Sequence, residues 1–271
     1  MIDQRYVGIT DFTTREQAEK MQKILARSTA GMNHPPLLMV GIMISFKTLW
    51  NISSKWGSIF PLKERLDDIF PLYDTPGMLN TLHYADFHDP VGWPEEQNLF
   101  YSLAKAMDFA RNNLHAIQLD MSWPDPGMVA SAVHASRRYI KVILQIGRQA
   151  LAMADNDPER VAEMLGDYEG VVDGILLDQS MGEGKLLDVR FLMRYIDAIR
   201  NAYPNLHIAV AGGLSHKTLG VIAPLLDKYP RLSIDAQAGL RSSNNPMDPI
   251  EWRMAESYLE TAGTLFKKYE R

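Results

Sequence analysis

The residues best suited to chemistry stand where short apolar runs end. In "GILLD" a glycine and three aliphatic residues lead directly into Asp178, and "AIQLD" ends in the same way on Asp120. A carboxylate at the end of a buried run is suited to general acid or base catalysis, because partial burial moves its pKa toward neutrality. The structural alternatives are a helix cap or a salt-bridged loop acid for Asp178, and a cap of the following "SWPDPG" turn for Asp120.

A glycine pair follows a third apolar run and suggests phosphate binding. In "AGGLS", Gly212, Gly213 and Leu214 come directly after the run. If a helix begins here, their backbone N–H groups are exposed where a phosphate can bind. The alternative is a simple tight turn in which Ser215 caps the helix.

Two further stretches combine small residues with chemistry-bearing ones. "DAQAGL" begins at Asp235 and includes Ala238 and Gly239, whose small side chains permit close approach of a ligand. "GEGK" follows Asp178 and contains Gly184. It is either a flexible turn or a loop that closes over a ligand, and the glycines alone do not distinguish the two.

Other polar residues in apolar runs are secondary candidates. His83 in "NTLHYADF" has a side-chain pKa suited to base catalysis, although a lone strand histidine also suits a hydrogen-bonded structural role. Lys141 is interpreted as a salt-bridge partner in preference to a Schiff-base lysine. Arg5 is interpreted as a structural residue. The seven histidines show no metal-ligand spacing, so neither a metal nor a cofactor is predicted.

These residues need a scaffold that brings the ends of several strands together. Apolar, β-branched runs recur about eight times, near Tyr6, Leu37, Leu79, Ala116, Ile140, Val172, His207 and Leu232. Most of the segments between them have helical periodicity, which predicts parallel strands joined by crossovers. The sequence therefore predicts a single (β/α)₈ barrel domain over residues 1–271. An open doubly wound sheet is the competing fold, but its usual G-x-G-x-x-G motif is absent.

Several helix starts can be predicted from capping residues. Thr13 followed by Glu16 has the capping-box pattern. Asp157 and Asp248 each precede a proline, an arrangement typical of a first helical turn. Segment 48–77 is the least regular and is predicted to combine an active-site loop with the second helix.

Composition narrows the class of partner. A formal charge of -5 and a pI near 5.8 argue against nucleic acid or an anionic membrane as the main partner, but permit a small phosphorylated ligand. The chain has no cysteine, and we see neither a secretory signal nor an apolar run long enough to span a membrane. These features predict a soluble, cytoplasmic protein, and they leave open whether it forms a homo-oligomer.

Four stretches resemble motifs of the phosphoribosylanthranilate isomerase family. They are "LLDQSMGEGKLLDV", "AVAGGLSHKTLG", "IDAQAGLRSSNNPMDP" and, at the N-terminus, "YVGITDFTTREQA". "AIQLD" resembles the family's strand 4. The similarity is good over the last hundred or so residues, thin at the N-terminus and poor over 48–93. The resemblance implies a single (β/α)₈ barrel that performs an Amadori rearrangement of a phosphoribosyl amine, a step of tryptophan biosynthesis.

The resemblance also implies roles for individual residues. By position, Asp178 corresponds to the family's general acid, which protonates the ribose ring oxygen. Gly212, Gly213 and Gly239 correspond to the phosphate-binding glycines, and Asp235 to the acid of strand 8.

The reacting end of the site departs from the family pattern. The catalytic base of the family is a cysteine in strand 1, and the corresponding residue here is Val7. The strand 4 histidine is replaced by Asp120, which is our first candidate for the base, ahead of His83. If the rest of the site is intact, Val7→Cys is expected to raise phosphoribosylanthranilate turnover.

Three hypotheses follow. The first is an isomerase of a phosphorylated sugar or sugar amine, and the second a lyase or aldolase acting on a phosphosugar. The third is a non-catalytic protein that binds a phosphate-bearing ligand.

Overall fold

The chain folds into a closed barrel of eight parallel strands. The computed structural model describes residues 2–57, 59–86, 95–178 and 187–270. Each strand pairs with the next, and β8 pairs with β1. The strands are β1 Tyr6–Thr10, β2 Leu37–Ser45, β3 Met78–Ala85, β4 Ala116–Asp120, β5 Lys141–Gly147, β6 Gly174–Asp178, β7 His207–Ala211 and β8 Ser233–Ala236. All eight predicted strands, and with them the (β/α)₈ fold, are confirmed.

Each strand is buried on both of its faces, which explains why its sequence is a nearly continuous apolar run. In β2, "LLMVGIMIS" is buried from its second residue to its last. Successive residues alternate between the barrel interior and the layer under the helices. The interior contains Tyr6, Met39, Leu79, Ala116, Ile143, Leu176 and Ala209. The alternate residues of each strand point outward and form a larger second core between the strands and the helices.

Helices of one to five turns surround the barrel over the described ranges. They are α1 Arg15–Ser28, α2 Phe46–Leu49, α3 Leu66–Ile69, α4 Leu99–Ala110, α5 Pro126–Ala135, α6 Arg148–Met153, α7 Pro158–Leu165, α8 Val189–Ala202, α9 Ala223–Lys228 and α10 Trp252–Lys268. In α8 the buried positions Leu192, Tyr195, Ile196 and Ile199 have the spacing of one helix face. None of the helices in these ranges is both long and apolar enough to cross a membrane.

One capping prediction is confirmed, and two are wrong in position. Asp157 caps α7 as predicted. The capping box of α1 uses Thr14 and Gln17 instead of Thr13 and Glu16, because the chain enters the helix one residue later. Glu251 is the N-cap residue of α10, three residues beyond Asp248.

The irregular segment 48–77 contains short helical turns in place of the single second helix that was predicted. Besides α3, it contains a 3₁₀ turn at Lys63–Arg65. The buried Lys63 ammonium donates to the carbonyl of Leu49 at 2.9 Å and to Asn51 Oδ1 at 2.6 Å. This contact ties the segment to the end of α2.

Candidate active site at the mouth of the barrel

Asp178 lies on the interior side of β6, at its carboxyl end. It is in register with Gly147 of β5 and Ala211 of β7, whose side chains are absent or small. Asp178 is buried, and the helix that follows, α8, is capped by Asp188. Asp178 is therefore not that helix's cap, and it occupies the edge of the barrel where (β/α)₈ enzymes place their catalytic groups.

The two candidate bases form one pair. His83 on β3 and Asp120 on β4 face each other, with 3.8 Å between His83 Nε2 and Asp120 Oδ2. That distance suits an ion pair and is longer than a direct hydrogen bond. Helix α5, which follows the turn after Asp120, is capped by Asp125, which accepts from the Met128 N–H at 2.7 Å.

Two buried glutamines support the imidazole from below. Gln118 Nε2 lies 3.3 Å and 3.4 Å from the two ring nitrogens of His83, and it donates to Gln145 Oε1 at 3.0 Å. Gln118 lies on the same interior face of β4 as Asp120, as its parity predicted. This row of side chains packs beside the imidazole across β3, β4 and β5.

Asp235 completes the set of interior acids. It is 4% exposed, and Thr10 Oγ1 lies 3.4 Å and 3.3 Å from its two carboxylate oxygens. A side chain at Gly8 would collide with Asp235 Oδ1, so β1 leaves this space to the acid. Burial is the main cause that raises the pKa of Asp235, and the nearby Asp178 adds to it, giving a value of about 7. A carboxyl that titrates near neutrality can hold or release a proton at physiological pH.

The acids of the mouth also act on His83. Burial opposes protonation of the imidazole, but the carboxylates of Asp120, Asp235 and Asp11 outweigh it, so the pKa of His83 is raised above 6.5. Charge therefore couples His83 to acids from strands on both sides of the barrel. The arrangement can take up a proton at one group and supply one from another.

Val7 does not face this site, contrary to the comparison with the family's cysteine. On β1 the interior positions are Tyr6, Gly8 and Thr10, whereas Val7 is 0% exposed and packs in the core beneath the helices. A cysteine at Val7 would share that environment. Val7→Cys is therefore not expected to raise phosphoribosylanthranilate turnover.

The first glycine loop, 212–214, differs in one respect from its prediction. Gly212 and Gly213 have φ of 128° and 58°, values that side chains disfavour. No helix begins at the loop: a 3₁₀ turn starts at Leu219, and α9 follows with six residues. Ser215 instead accepts from the Lys217 N–H at 3.3 Å. Any phosphate binding here would depend on the loop's own N–H groups and not on a long helix dipole.

The second glycine loop, 238–239, packs directly on the first. It lies in the 3₁₀ turn Ala238–Leu240, and a side chain at Gly239 would collide with the carbonyl oxygen of Leu214. The close approach that requires this glycine is therefore made by the neighbouring loop. Among the described residues, no backbone carbonyl accepts a hydrogen bond from the Gly213 or Leu214 N–H group. The phosphate contacts of Gly212, Gly213, Leu214, Ala238 and Gly239 stay predictions.

Sequence reasoning missed the groups that join β1 to the second glycine loop. Arg241, 2% exposed, donates through Nη2 to Asp11 Oδ2 at 2.6 Å. Gln237 Nε2 donates to the same oxygen at 3.1 Å. The arginine stands in the quoted "AGLRSS" stretch, but nothing there indicated that its partner lies 230 residues earlier.

The remaining candidates lie elsewhere. Lys141 is at the start of β5, 3.3 Å from Asp173 Oδ1, which confirms it as a salt-bridge partner. Arg5 Nη1 donates to the carbonyl of Pro230 at 2.9 Å, near the same end of the barrel. Gly184 and the "GEGK" stretch lie outside the described residues. Among the residues that the structure describes, no group of three acidic or histidine side chains is arranged to hold a metal ion.

Comparison with known proteins does not assign the chain to a family. No protein-family model matches it, and neither does any curated protein sequence. The likeness to phosphoribosylanthranilate isomerase thus depends on the quoted motifs alone.

Proposed function

We propose that the chain is an enzyme that isomerises a phosphorylated sugar or sugar amine by acid and base catalysis. One observation carries the proposal: the His83–Asp120 pair, Asp178 and Asp235 lie on interior positions at the carboxyl ends of four strands. The two glycine loops follow β7 and β8, at the same end of the barrel. Titratable groups and a candidate phosphate cradle therefore share one mouth.

An Amadori-type step would use these groups as follows. Asp178 donates a proton to the ring oxygen as the C1–O bond breaks, and the amine lone pair forms a C1=N bond. Neutral His83, oriented by Asp120, removes the C2 proton, and the C2–H electrons form a C1=C2 bond as the C1=N pair returns to nitrogen. Loss of the enol proton and protonation at C1 give the ketose. These steps transfer protons and open the ring without net oxidation or reduction of the substrate, so they use no redox cofactor.

Lys141 gives the aldolase alternative no support. An aldolase lysine needs a lowered pKa and a position near the substrate. The ammonium of Lys141 is held by Asp173 at the opposite end of the barrel, and its interactions raise its pKa. A lyase that uses another base, and a non-catalytic phosphate-binding protein, stay hypotheses. Both would share the phosphate site, so the turnover experiment and not the binding experiment bears on them.

The proposal is tested first by phosphate binding. Gly213→Asp is expected to weaken ribose 5-phosphate binding at least tenfold, because it places a like charge beside the phosphate. Gly213→Asn is the matched control, since Asp and Asn both tolerate a φ of 58° and differ mainly in charge. Calorimetry on both variants measures the difference. Equal binding by wild type and Gly213→Asp would remove the phosphate cradle from the account.

Turnover is tested separately with phosphoribosylanthranilate, the substrate that the resemblance suggests. Conversion to the ketose, with deuterium from solvent water at C1, would support the isomerase and a place in tryptophan biosynthesis. Phosphate binding with no conversion of this or other phosphosugar amines would favour the non-catalytic hypothesis.

A further inference from the structure

Each guanidinium nitrogen of Arg241 donates a hydrogen bond within the protein, and one of these contacts joins the second glycine loop to the end of β1. Besides the contact to Asp11, Nη1 donates to the carbonyl of Gln237 at 2.6 Å, and Nε donates to the carbonyl of Asp248. The side chain is 2% exposed. Since each guanidinium nitrogen already donates within the protein and the side chain is buried, Arg241 is placed to shape the loop and not to contact a ligand directly.

Asp11 has an unusual backbone at the same junction. Its φ is 91°, a conformation that residues with side chains rarely adopt. The N–H groups of Asp11 and Phe12 both donate to the carbonyl of Gly41, at 3.0 Å and 3.2 Å. Backbone strain of this kind persists where the surroundings hold it in place, and it is common at functional sites.

The pair also changes the charge of the mouth. Carboxylates at the mouth, Asp11 and Asp120 among them, would repel an anion. The Arg241 guanidinium offsets the charge of Asp11 at 2.6 Å. An ion pair with one partner 2% exposed and the other 11% exposed is weakly screened by solvent.

We propose that Asp11 and Arg241 are a positioning pair that holds the second glycine loop in shape and offsets an acid that would otherwise repel a phosphorylated ligand. This inference rests on the proposed function, because it concerns the anion-binding half of that site. It predicts that the two partners have opposite effects when each is changed alone. A purely structural latch would lose affinity with either change.

The test measures ribose 5-phosphate binding by calorimetry at low salt. Arg241→Met exposes the charge of Asp11 and is expected to weaken binding at least tenfold. Asp11→Asn keeps an acceptor oxygen but leaves the Arg241 charge uncompensated, and it is expected to strengthen binding about threefold. The double variant Asp11→Asn/Arg241→Met is expected to recover most of the affinity that Arg241→Met loses.

The outcomes separate this inference from the proposed function. If wild type binds ribose 5-phosphate but both single variants weaken it equally, the charge role is wrong while the phosphate site stands. If wild type binds neither ribose 5-phosphate nor inorganic phosphate, both proposals fail. Should Arg241→Met not fold, Asp11→Asn decides alone: tighter binding supports the inference, and unchanged or weaker binding overturns it.

Discussion

His83 and His207 are both interior histidines, each 6% exposed, and their pKa values are shifted in opposite directions. Burial, together with the charges of Arg200 and Arg231, lowers the pKa of His207 to about 4. Its imidazole stacks on Tyr6 with 5.5 Å between ring centroids, and its Nε2 lies 2.7 Å from Ser233 Oγ. At the other end of the barrel, three carboxylates raise the pKa of His83 despite the same burial.

The difference reflects the surroundings of the polar groups at the two ends of the barrel. At the amino ends of the strands, charged and polar groups are used up in fixed contacts, such as His207 with Ser233 and Lys141 with Asp173. At the carboxyl ends, acids from several strands act on one another and on a histidine. Asp235, whose pKa is raised to about 7, lies among these acids at the mouth.

The largest effect is expected from Asp178→Asn at the mouth. Removing a general acid should lower turnover of a phosphosugar amine roughly 100-fold or more, with little change in melting temperature. The control is Asp173→Asn at the opposite end, where Oδ2 also accepts from the Val142 N–H at 3.0 Å. That variant should lose about 1 kcal/mol of stability and keep its turnover. Activity retained in Asp178→Asn, together with a lower melting temperature, would make Asp178 structural.

The next effect concerns stability against pH. Asp235 has a pKa of about 7 in the folded protein against 3.8 ordinarily, so folding takes up a proton between about pH 4 and pH 7. Its stabilising contribution is complete below about pH 4 and is lost as the pH rises to 7, a change on the order of a few kcal/mol.

Urea unfolding of wild type and Asp235→Asn at several pH values measures that loss. The stability of wild type relative to the variant should fall as the pH rises through this window. Parallel curves for the two proteins would show that Asp235 is ionised throughout and would remove it from the proton-holding groups.

The smallest effect is expected from Val7→Cys. Because Val7 packs beneath the helices, the substitution should leave turnover of a phosphosugar amine unchanged and cost about 1 kcal/mol of stability. A rise in phosphoribosylanthranilate turnover would instead restore the original comparison with the family's cysteine. It would place the base on strand 1 and not on β3.

The fold was predictable because it depends on a repeated pattern. Eight apolar runs separated by helical segments have few alternatives to a barrel, and a shift of one residue at a cap such as Thr14 does not change the topology. The identity of Asp178 and Asp120 as strand-end acids was predictable for the same reason. A carboxylate that ends an apolar run is visible without any knowledge of its neighbours.

Pairings between distant strands were not predictable. Asp120 and His83 appeared as rival bases, since only the register of β3 with β4 brings them together. Val7 was misassigned because every residue of "YVGIT" is buried, so the run does not reveal which residues face the interior. Arg241 was missed because its partner is at the other end of the chain.

The most direct test of the account is an NMR titration of the histidine side chains. His83→Gln and His207→Gln assign the two resonances among the seven histidines. The account predicts that His83 titrates above 6.5, that His207 stays neutral down to about pH 4, and that Asp120→Asn lowers the pKa of His83. A His83 pKa at or below 6.5 in wild type, or one that Asp120→Asn leaves unchanged, would contradict the claim that the acids of the mouth and this histidine form one acid/base site.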